Sequence, residues 1–230
     1  SAEIEVVPAG PARDMGLDRS MILGYGHDDR VGAYPSMMAV LDYEGTPDYT
    51  LCCIITDKEE IGSVGATGMA SHYLENTVAE LYACTADYCE LAVRRCLRNS
   101  RMLSSDVSAG YDPNFASAFE KKNSAFLGRG ICFNKFTGSR GKSGSNDASA
   151  EVVGKLRKIF ADNGVVWQMS ELGKVDQGGG GTVAQYMANR NIDTIDAGTP
   201  VFSMHAPFET VTKFDCYQTY KAMWAFYKDR

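Results

Sequence analysis

Continuous apolar runs along the chain predict the strands of a sheet. The run Leu51–Thr56 (LCCIIT) is apolar throughout, as in a strand buried on both faces. Further strands are predicted at Ala2–Val7, Arg101–Ser105, Gly130–Phe133, Val165–Met169 and Val201–Met204. The spacing between these runs leaves room for helical connections, which favours a sheet that is mostly parallel or mixed.

Helical periodicity fills the intervals between these strands. Apolar side chains recur every 3.6 residues over Thr77–Asn99, and Ala148–Asn163 ends at Gly164, a residue typical of helix C-termini. Further helices are predicted at Tyr34–Leu41, Thr182–Asn189 and Tyr217–Lys228. The alternation predicts a three-layer α/β/α fold. Without an internal repeat or a clear linker, residues 1–230 are expected to form a single domain.

Composition and net charge argue against several classes of protein, among them nucleic-acid-binding and membrane proteins. The 230 residues are 44% hydrophobic and 23% charged, which is typical of a globular protein. A net charge of −6 opposes binding to nucleic-acid phosphates. No apolar run approaches the roughly 20 residues that span a bilayer, so no membrane association is expected. Ala2–Val7 alternates glutamate with short apolar residues, which does not resemble a secretory leader, so we expect a cytoplasmic location.

The seven cysteines do not predict a disulfide framework or a zinc ribbon. Their number is odd, and none forms a CxxC pair. We therefore expect reduced and mostly buried thiols.

Acidic and histidine side chains lie just after the C-terminal ends of three predicted strands. LCCIIT runs into Glu59 and Glu60, RMLSS into Asp106, and VFSM into His205. In open α/β sheets, functional sites form at the carboxyl ends of strands, so these four side chains are expected to share one crevice. Taken singly, the two glutamates are also typical of a solvated acidic turn, and the histidine of a structural residue.

Two further carboxylates, Asp28 and Asp29, follow a glycine-containing turn before a helix. They could add to the same crevice, or they could cap the helix. Carboxylates with few histidines suit a site for two divalent metal ions that catalyses hydrolysis. Adjacent Glu59 and Glu60 would allow one glutamate to bind metal while the other acts as general base.

Five segments carry a resemblance to a known family. They are GYGHDDRVGAYPSMMAVLD, TDKEEIGSVGATG, RMLSSDVSAGYDP, GSRGKSGSND and GTPVFSMHAPFE, in that order. The chain resembles the M18 metalloaminopeptidases, the aspartyl and vacuolar aminopeptidase family. This resemblance implies a zinc-peptidase-like catalytic domain that removes the N-terminal residue of peptides. It also implies two divalent ions, with Zn²⁺ expected and Co²⁺ or Mn²⁺ as alternatives.

Roles follow by position from this resemblance. Asp28 would bridge both metals, Glu60 and His205 would bind one, and Asp106 would bind the other. Glu59 would be the general base for a metal-bridged water. Residues flanking the substrate would be Arg140, Lys142, Gly179 and Gly180. A basic group there would favour acidic substrates, although solvated loop charges and a flexible glycine turn are open alternatives.

The chain departs from the family in one motif and in length. The family's HxD motif, which supplies another histidine ligand, has no match here. We expect the C-terminal half of such an enzyme, without the N-terminal segment and the inserted dimerisation domain, and with a sheet incomplete at its N-terminal side. The resemblance also implies homo-oligomers. Alternative functions are a catalytically incomplete scaffold or assembly module that needs an N-terminal segment, and a different dinuclear hydrolase such as a deacylase.

Overall fold

The computed structural model describes residues 1–140 and 142–229. Its strands are β1 (Arg13–Met15), β2 (Met21–Gly24), β3 (Arg101–Ser104), β4 (Ser108–Ala109), β5 (Ile131–Asn134), β6 (Trp167–Met169), β7 (Asp193–Gly198), β8 (Pro200–Val201) and β9 (Glu209–Thr212). Its α-helices are α1 (His27–Leu41), α2 (Tyr73–Ala83), α3 (Glu90–Arg98), α4 (Ala150–Asp162), α5 (Ala184–Ala188) and α6 (Lys213–Lys228). Short 3₁₀ helices cover Glu59–Ile61, Pro113–Ala118 and Lys121–Asn123.

The largest sheet is mixed, with strand order β3-β7-β5-β6. β3 runs parallel to β7 and β5 parallel to β6, whereas β5 and β7 are antiparallel. Strands β1, β2 and β9 form an antiparallel sheet, and β4 pairs in parallel with β8. Because β3 and β7 are parallel neighbours, their carboxyl ends lie at one edge, where the segment with Asp106 begins.

Two apolar clusters cover the two faces of this sheet. On one face, α1, α4 and α6 pack on β5 and β7 around Phe133, Phe160 and Ile195. On the other face, Leu97 of α3 and Met187 of α5 pack together, with Met102 of β3 and part of α2 against them. Helices on both faces of a sheet make the three-layer architecture that the sequence predicts.

Local capping explains where the two long helices of the first cluster begin. Ser149 accepts a hydrogen bond from the N–H of Val152 at the start of α4. Thr212 accepts one from the N–H of Asp215 at 2.9 Å at the start of α6. Such caps satisfy backbone donors that the first helical turn leaves free. Gly164, with φ +60°, follows the C-terminus of α4 as predicted.

Two strand predictions are wrong. Neither Ala2–Val7 nor Leu51–Thr56 forms a strand in the structure. The first segment is exposed, and the second has exposed side chains at Ile54 and Ile55, while its Cys52 carbonyl accepts a hydrogen bond from Tyr227. Hydrophobicity favours a strand only where a neighbouring strand supplies the hydrogen-bond ladder.

The helix predicted over Thr77–Asn99 is two helices, α2 and α3. The N–H and the side-chain hydroxyl of Thr85 both donate to the carbonyl of Tyr82, each at 2.9 Å. These contacts tighten the last turn and end α2.

The prediction that the cysteines are mostly buried is wrong. No disulfide joins the seven cysteines in the structure, and Cys52, Cys84, Cys89 and Cys96 are exposed.

In the described part of the chain, no helix combines the length and hydrophobicity that crossing a bilayer demands.

Candidate metal centre

Four separate segments bring acidic and histidine side chains together at one edge of the fold. Asp28 and Asp29 lie at the start of α1, where the backbone is not helical and the peptide between them is cis. Glu60 lies on the 3₁₀ turn that follows Leu51–Thr56. Asp106 follows β3, and His205 lies in the connection from β8 to β9. The side chains expected to converge therefore do so, although only Asp106 directly follows a strand of the main sheet.

The first group of possible metal ligands is Asp28, Glu60 and His205. The His205 Nε2 atom lies 3.0 Å from Asp28 Oδ2 and 3.2 Å from Glu60 Oε1. The side chains of His205 and Glu60 are 60% and 61% exposed, whereas that of Asp28 is 11% exposed. This group is thus open to solvent on the side of His205 and Glu60, as a site that admits a substrate must be.

The second group consists of Asp28, Asp29 and Asp106. One carboxylate oxygen from each residue lies within 4.8 Å of the others. Asp28 belongs to both groups. A carboxylate that bridges two ions would have to be shared in this way.

Burial, and after it the charges of neighbouring carboxylates, raise the pKa values of Asp28, Asp29 and Asp106 in the metal-free protein. Burial, reinforced by Glu60, raises the pKa of Asp28 to about 6, although His205 opposes the shift. Burial and neighbouring carboxylates raise the pKa values of Asp29 and Asp106 well above the ordinary aspartate value. Buried like charges at short range are stable only when protons or a cation neutralise them.

Two buried polar atoms without a hydrogen-bond partner help to decide whether divalent ions fit this centre. Asp29 Oδ1 and Ser105 Oγ are buried and have no hydrogen-bond partner. Buried polar atoms are almost always paired, so an unpaired carboxylate oxygen beside two more carboxylates indicates room for a cation. Carboxylate oxygens with one imidazole form a donor set that zinc accepts. The residues present therefore fit divalent metal ions.

Glu59 lies beside the first group. Burial, followed by the charges of Glu60 and Asp28, raises its pKa to about 7. The turn that carries Glu59 is ordered by Asp57, whose Oδ1 accepts the N–H of Lys58 at 2.8 Å. Lys58 itself has a left-handed backbone, with φ +68°. Asp57 thus contacts the backbone immediately before Glu59 and Glu60.

Gly26 is the N-cap of α1 as a whole, and no side chain caps it by a hydrogen bond in the described structure. Asp28 and Asp29 have non-helical backbone angles, so the regular part of the helix begins after them. A backbone hydrogen bond from Gly32 lowers the pKa of Asp29 against the effect of burial, which agrees with the capping alternative for Asp29.

Glu209 belongs to this centre, although the sequence analysis did not single it out. Its side chain is 2% exposed. Its Oε2 accepts the N–H of Asp28 at 2.9 Å, and its Oε1 accepts the N–H of His205 at 2.8 Å. Glu209 thereby holds His205, whose φ of +64° is uncommon for a residue other than glycine. The signal in the sequence is its place in the segment GTPVFSMHAPFE.

Asp196 is a second residue that the sequence analysis did not find. It is buried on β7 and accepts hydrogen bonds from Ser104 at the end of β3 and from Thr182 at 2.7 Å. Burial raises its pKa to about 6, although these two hydroxyls oppose the shift. Asp196 thus ties the strand that leads to Asp106 to the end of the glycine run 178–181.

The residues predicted to flank the substrate lie on two loops that pair with each other. The N–H of Arg140 donates to the carbonyl of Gly178 at 2.9 Å, and that of Gly138 donates to Gly180 at 2.8 Å. Gly179 has φ +100°, and a Cβ there would lie 2.1 Å from the Gly138 oxygen. The side chains of Arg140 and Lys142 are exposed and, across residues 1–140 and 142–229, make no ion pair with the acidic centre.

The chain is similar to a known protein family and to individual proteins of that family. The family model described as aminopeptidase I zinc metalloprotease (M18) matches residues 1–227. A probable M18 family aminopeptidase 1 from Clostridium acetobutylicum is 54% identical over 226 residues, covering 98% of this chain and 48% of that protein. A probable M18 family aminopeptidase 1 from Borreliella afzelii is 46% identical over 231 residues, covering 100% of this chain and 50% of that protein.

Solved structures of M18 aminopeptidases share the fold of this chain. The crystal structure of aminopeptidase I from Clostridium acetobutylicum superposes with a TM-score of 0.89 at 52% identity, covering 97% of this chain and 48% of that one. The M18 aminopeptidase from Thermotoga maritima gives a TM-score of 0.91 at 39% identity, with 97% and 50% covered. The chain thus spans about half the length of the relatives that it matches.

Proposed function

Because this chain belongs to the M18 family of aminopeptidase I zinc metalloproteases, we propose that it acts as a metal-dependent aminopeptidase that removes the N-terminal residue of peptides. The observation that carries this proposal is that Asp28 belongs to two groups of possible metal ligands. With Glu59 beside it, the centre would hold two divalent ions and keep one carboxylate free. This combination suits hydrolysis of a peptide bond.

Each side chain has a distinct part in this proposal. Asp28, Glu60 and His205 would hold one ion, and Asp28 and Asp106 would hold the other. When bound, the ions supply Lewis acidity that polarises the scissile carbonyl. Glu59 accepts the proton of the attacking water on a carboxylate oxygen and returns it to the departing amine.

The paired loops would contact the peptide. Backbone N–H groups near Gly179 and Gly180 could bind its carbonyl groups, and the exposed side chains of Arg140 and Lys142 supply positive charge. We propose that they favour an acidic N-terminal residue. Replacing both basic residues with alanine should raise KM for peptides that begin with Asp or Glu more than for those that begin with Leu. An equal rise for both peptide types would contradict this assignment.

Assembly and location are further parts of the proposal. One structural neighbour is described as a yeast mApe1 dodecamer, with a TM-score of 0.77 at 21% identity, a likeness that by itself concerns the fold alone. Together with the family relation, it supports a homo-oligomer. The seven free thiols are consistent with a reducing compartment, which supports a cytoplasmic location.

The test is hydrolysis of matched peptides by the zinc-loaded chain. A peptide with a free N-terminus should lose one residue, whereas the same peptide with an acetylated N-terminus should remain intact. Cleavage of both peptides at equal rates would exclude an aminopeptidase.

One result would favour the alternative of a scaffold that needs another segment. The chain covers about half of its relatives, which supports this second candidate. If the zinc-loaded chain binds its ions but cleaves neither peptide, the scaffold becomes the better assignment.

A further inference from the structure

We infer that Tyr186 is a positioning residue for the turn that carries Glu59 and Glu60, because its hydroxyl holds the backbone of that turn. The inference rests on the proposed function, which gives Glu59 and Glu60 their parts as general base and metal ligand. It deepens that function by naming a residue that acts on both glutamates through the backbone.

The contact joins two segments that lie far apart in the sequence. The Tyr186 Oη atom donates a hydrogen bond to the carbonyl of Gly62 at 2.6 Å, across 124 positions. Gly62 ends the 3₁₀ turn Glu59–Ile61, and its own N–H donates to the carbonyl of Glu59 at 2.8 Å. Gly62 is therefore bonded to the turn through its N–H and to Tyr186 through its carbonyl.

The turn itself is weakly supported by the rest of the fold. None of the residues Glu59–Ile61 is buried. In residues 1–140 and 142–229, the other backbone hydrogen bonds of positions 58–63 stay within the segment 57–70. Lys58 and Ser63, on either side of the turn, have φ +68° and +58°. Residues other than glycine keep such angles only where surrounding contacts hold them.

Tyr186 is held firmly enough to act as a support. Its ring packs against the apolar cluster that contains Leu97 and Met187. Its carbonyl accepts a hydrogen bond from Arg190 Nη1 at 2.7 Å, and Arg190 Nε donates to Glu75 of α2 at 2.9 Å. The hydroxyl therefore projects from a fixed ring, and its hydrogen bond restricts the movement of the turn.

The helix α5 connects the turn with the sheet. Just before α5, Thr182 Oγ1 donates to Asp196 Oδ2 on β7 at 2.7 Å. Tyr186 thereby ties the turn of Glu59 and Glu60 to a helix that is itself bonded to β7. A fixed position matters because a shift of about 1 Å in a catalytic group can cost about 100-fold in rate.

The variant Tyr186→Phe tests the inference, because it keeps the ring and removes only the hydroxyl. Calorimetric titration of the 230-residue chain measures zinc binding, and initial rates measure peptide cleavage. The ion held by Asp28, Glu60 and His205 should bind about 10-fold more weakly, since losing a partner that orients a ligand costs about 10–100-fold. With saturating zinc, kcat should fall by about 10-fold while KM changes little, because the displaced glutamates act on the transition state.

The matched control is Tyr220→Phe, which removes a hydrogen bond of the same kind elsewhere. The Tyr220 hydroxyl donates to Asp42 Oδ2 at 2.7 Å, and Asp42 lies at the opposite end of α1 from Asp28. This control should bind zinc and cleave peptide as the parent does, with a melting temperature close to that of Tyr186→Phe. Equal losses of zinc affinity and kcat in both variants would reduce Tyr186 to a structural role and overturn the inference.

Failure of this inference and failure of the proposed function give different results. Parental zinc affinity and parental kcat in Tyr186→Phe would overturn the positioning role and leave the aminopeptidase intact. If the parent chain binds zinc but cleaves no peptide, the titration still decides. Weaker zinc binding in Tyr186→Phe but not in Tyr220→Phe would then support the positioning role and contradict the aminopeptidase.

Discussion

The Oε2 atom of Glu209 accepts a hydrogen bond from the backbone N–H of Asp28, which lies 181 positions earlier in the sequence. The other carboxylate oxygen of Glu209 accepts the N–H of His205. One buried side chain therefore fixes the backbone of two residues whose own side chains are 3.0 Å apart. The geometry of the first ligand group depends on Glu209, although Glu209 does not belong to that group.

Replacing Glu209 with glutamine should weaken binding of the first ion by about 10–100-fold, the usual cost of losing a partner that orients a ligand. Glutamine has one acceptor oxygen, so its NH₂ group would face either the N–H of Asp28 or that of His205. Zinc titration measures the change. Glu80→Gln, at an exposed position on α2, is the control and should bind zinc normally. Parental affinity in Glu209→Gln would show that the two hydrogen bonds do not set the ligand geometry.

Glu59→Gln should keep both ions but lower kcat by about 100-fold or more, because the amide cannot accept the proton of water. Glu60→Gln is the matched comparison on the adjacent residue, and it should lower metal affinity instead. Peptide hydrolysis and metal content measured on the same samples test both. Turnover by Glu59→Gln at the parental rate would exclude Glu59 as the general base.

Gly198→Ala should destabilise the protein and disturb the segment that carries Asp106. A Cβ at Gly198 would lie 1.7 Å from the backbone oxygen of Asp106, so the backbone must move. Overpacking of this kind costs about 1–3 kcal/mol or more. Thermal unfolding and zinc titration should both record the change.

The control for this substitution is Gly154→Ala within α4. Nothing lies within 4 Å of a Cβ at Gly154, so alanine should stabilise the helix by about 0.5–1 kcal/mol. Equal melting temperatures for the two variants would contradict the close approach of Gly198 to Asp106.

The metal-free protein should lose stability as the pH rises from about 4 to 7. Folding raises the pKa of Asp28 from 3.8 to about 6 and that of Glu59 from 4.5 to about 7. Between the unfolded and folded values the folded state holds more protons, so deprotonation favours unfolding. Saturating zinc should flatten this dependence, because the cation replaces the protons. Melting temperatures that rise with pH in the chelated protein would contradict the crowding of these carboxylates.

Two of the three long helices that the sequence predicts are present as single helices, whereas Thr77–Asn99 divides into α2 and α3. The helices predicted at Ala148–Asn163 and Tyr217–Lys228 match α4 and α6, because their periodicity extends over several turns. The apolar run Leu51–Thr56 fails as a strand because a strand also needs a neighbour, which a local pattern does not describe. For the same reason, the strand predicted at Val201–Met204 is only the two-residue β8.

The sequence by itself determined which side chains are candidates for the centre: Asp28, Glu60, Asp106 and His205 are singled out by local patterns and by their places in the five motif segments. Only the tertiary structure decided which of these side chains meet, and that Glu209 holds the backbone of two of them. The position of Glu209 depends on packing between segments distant in the chain, where burial removes water and each carboxylate oxygen finds a backbone donor. A local sequence pattern does not describe these contacts, because they form only when segments distant in the chain pack against one another.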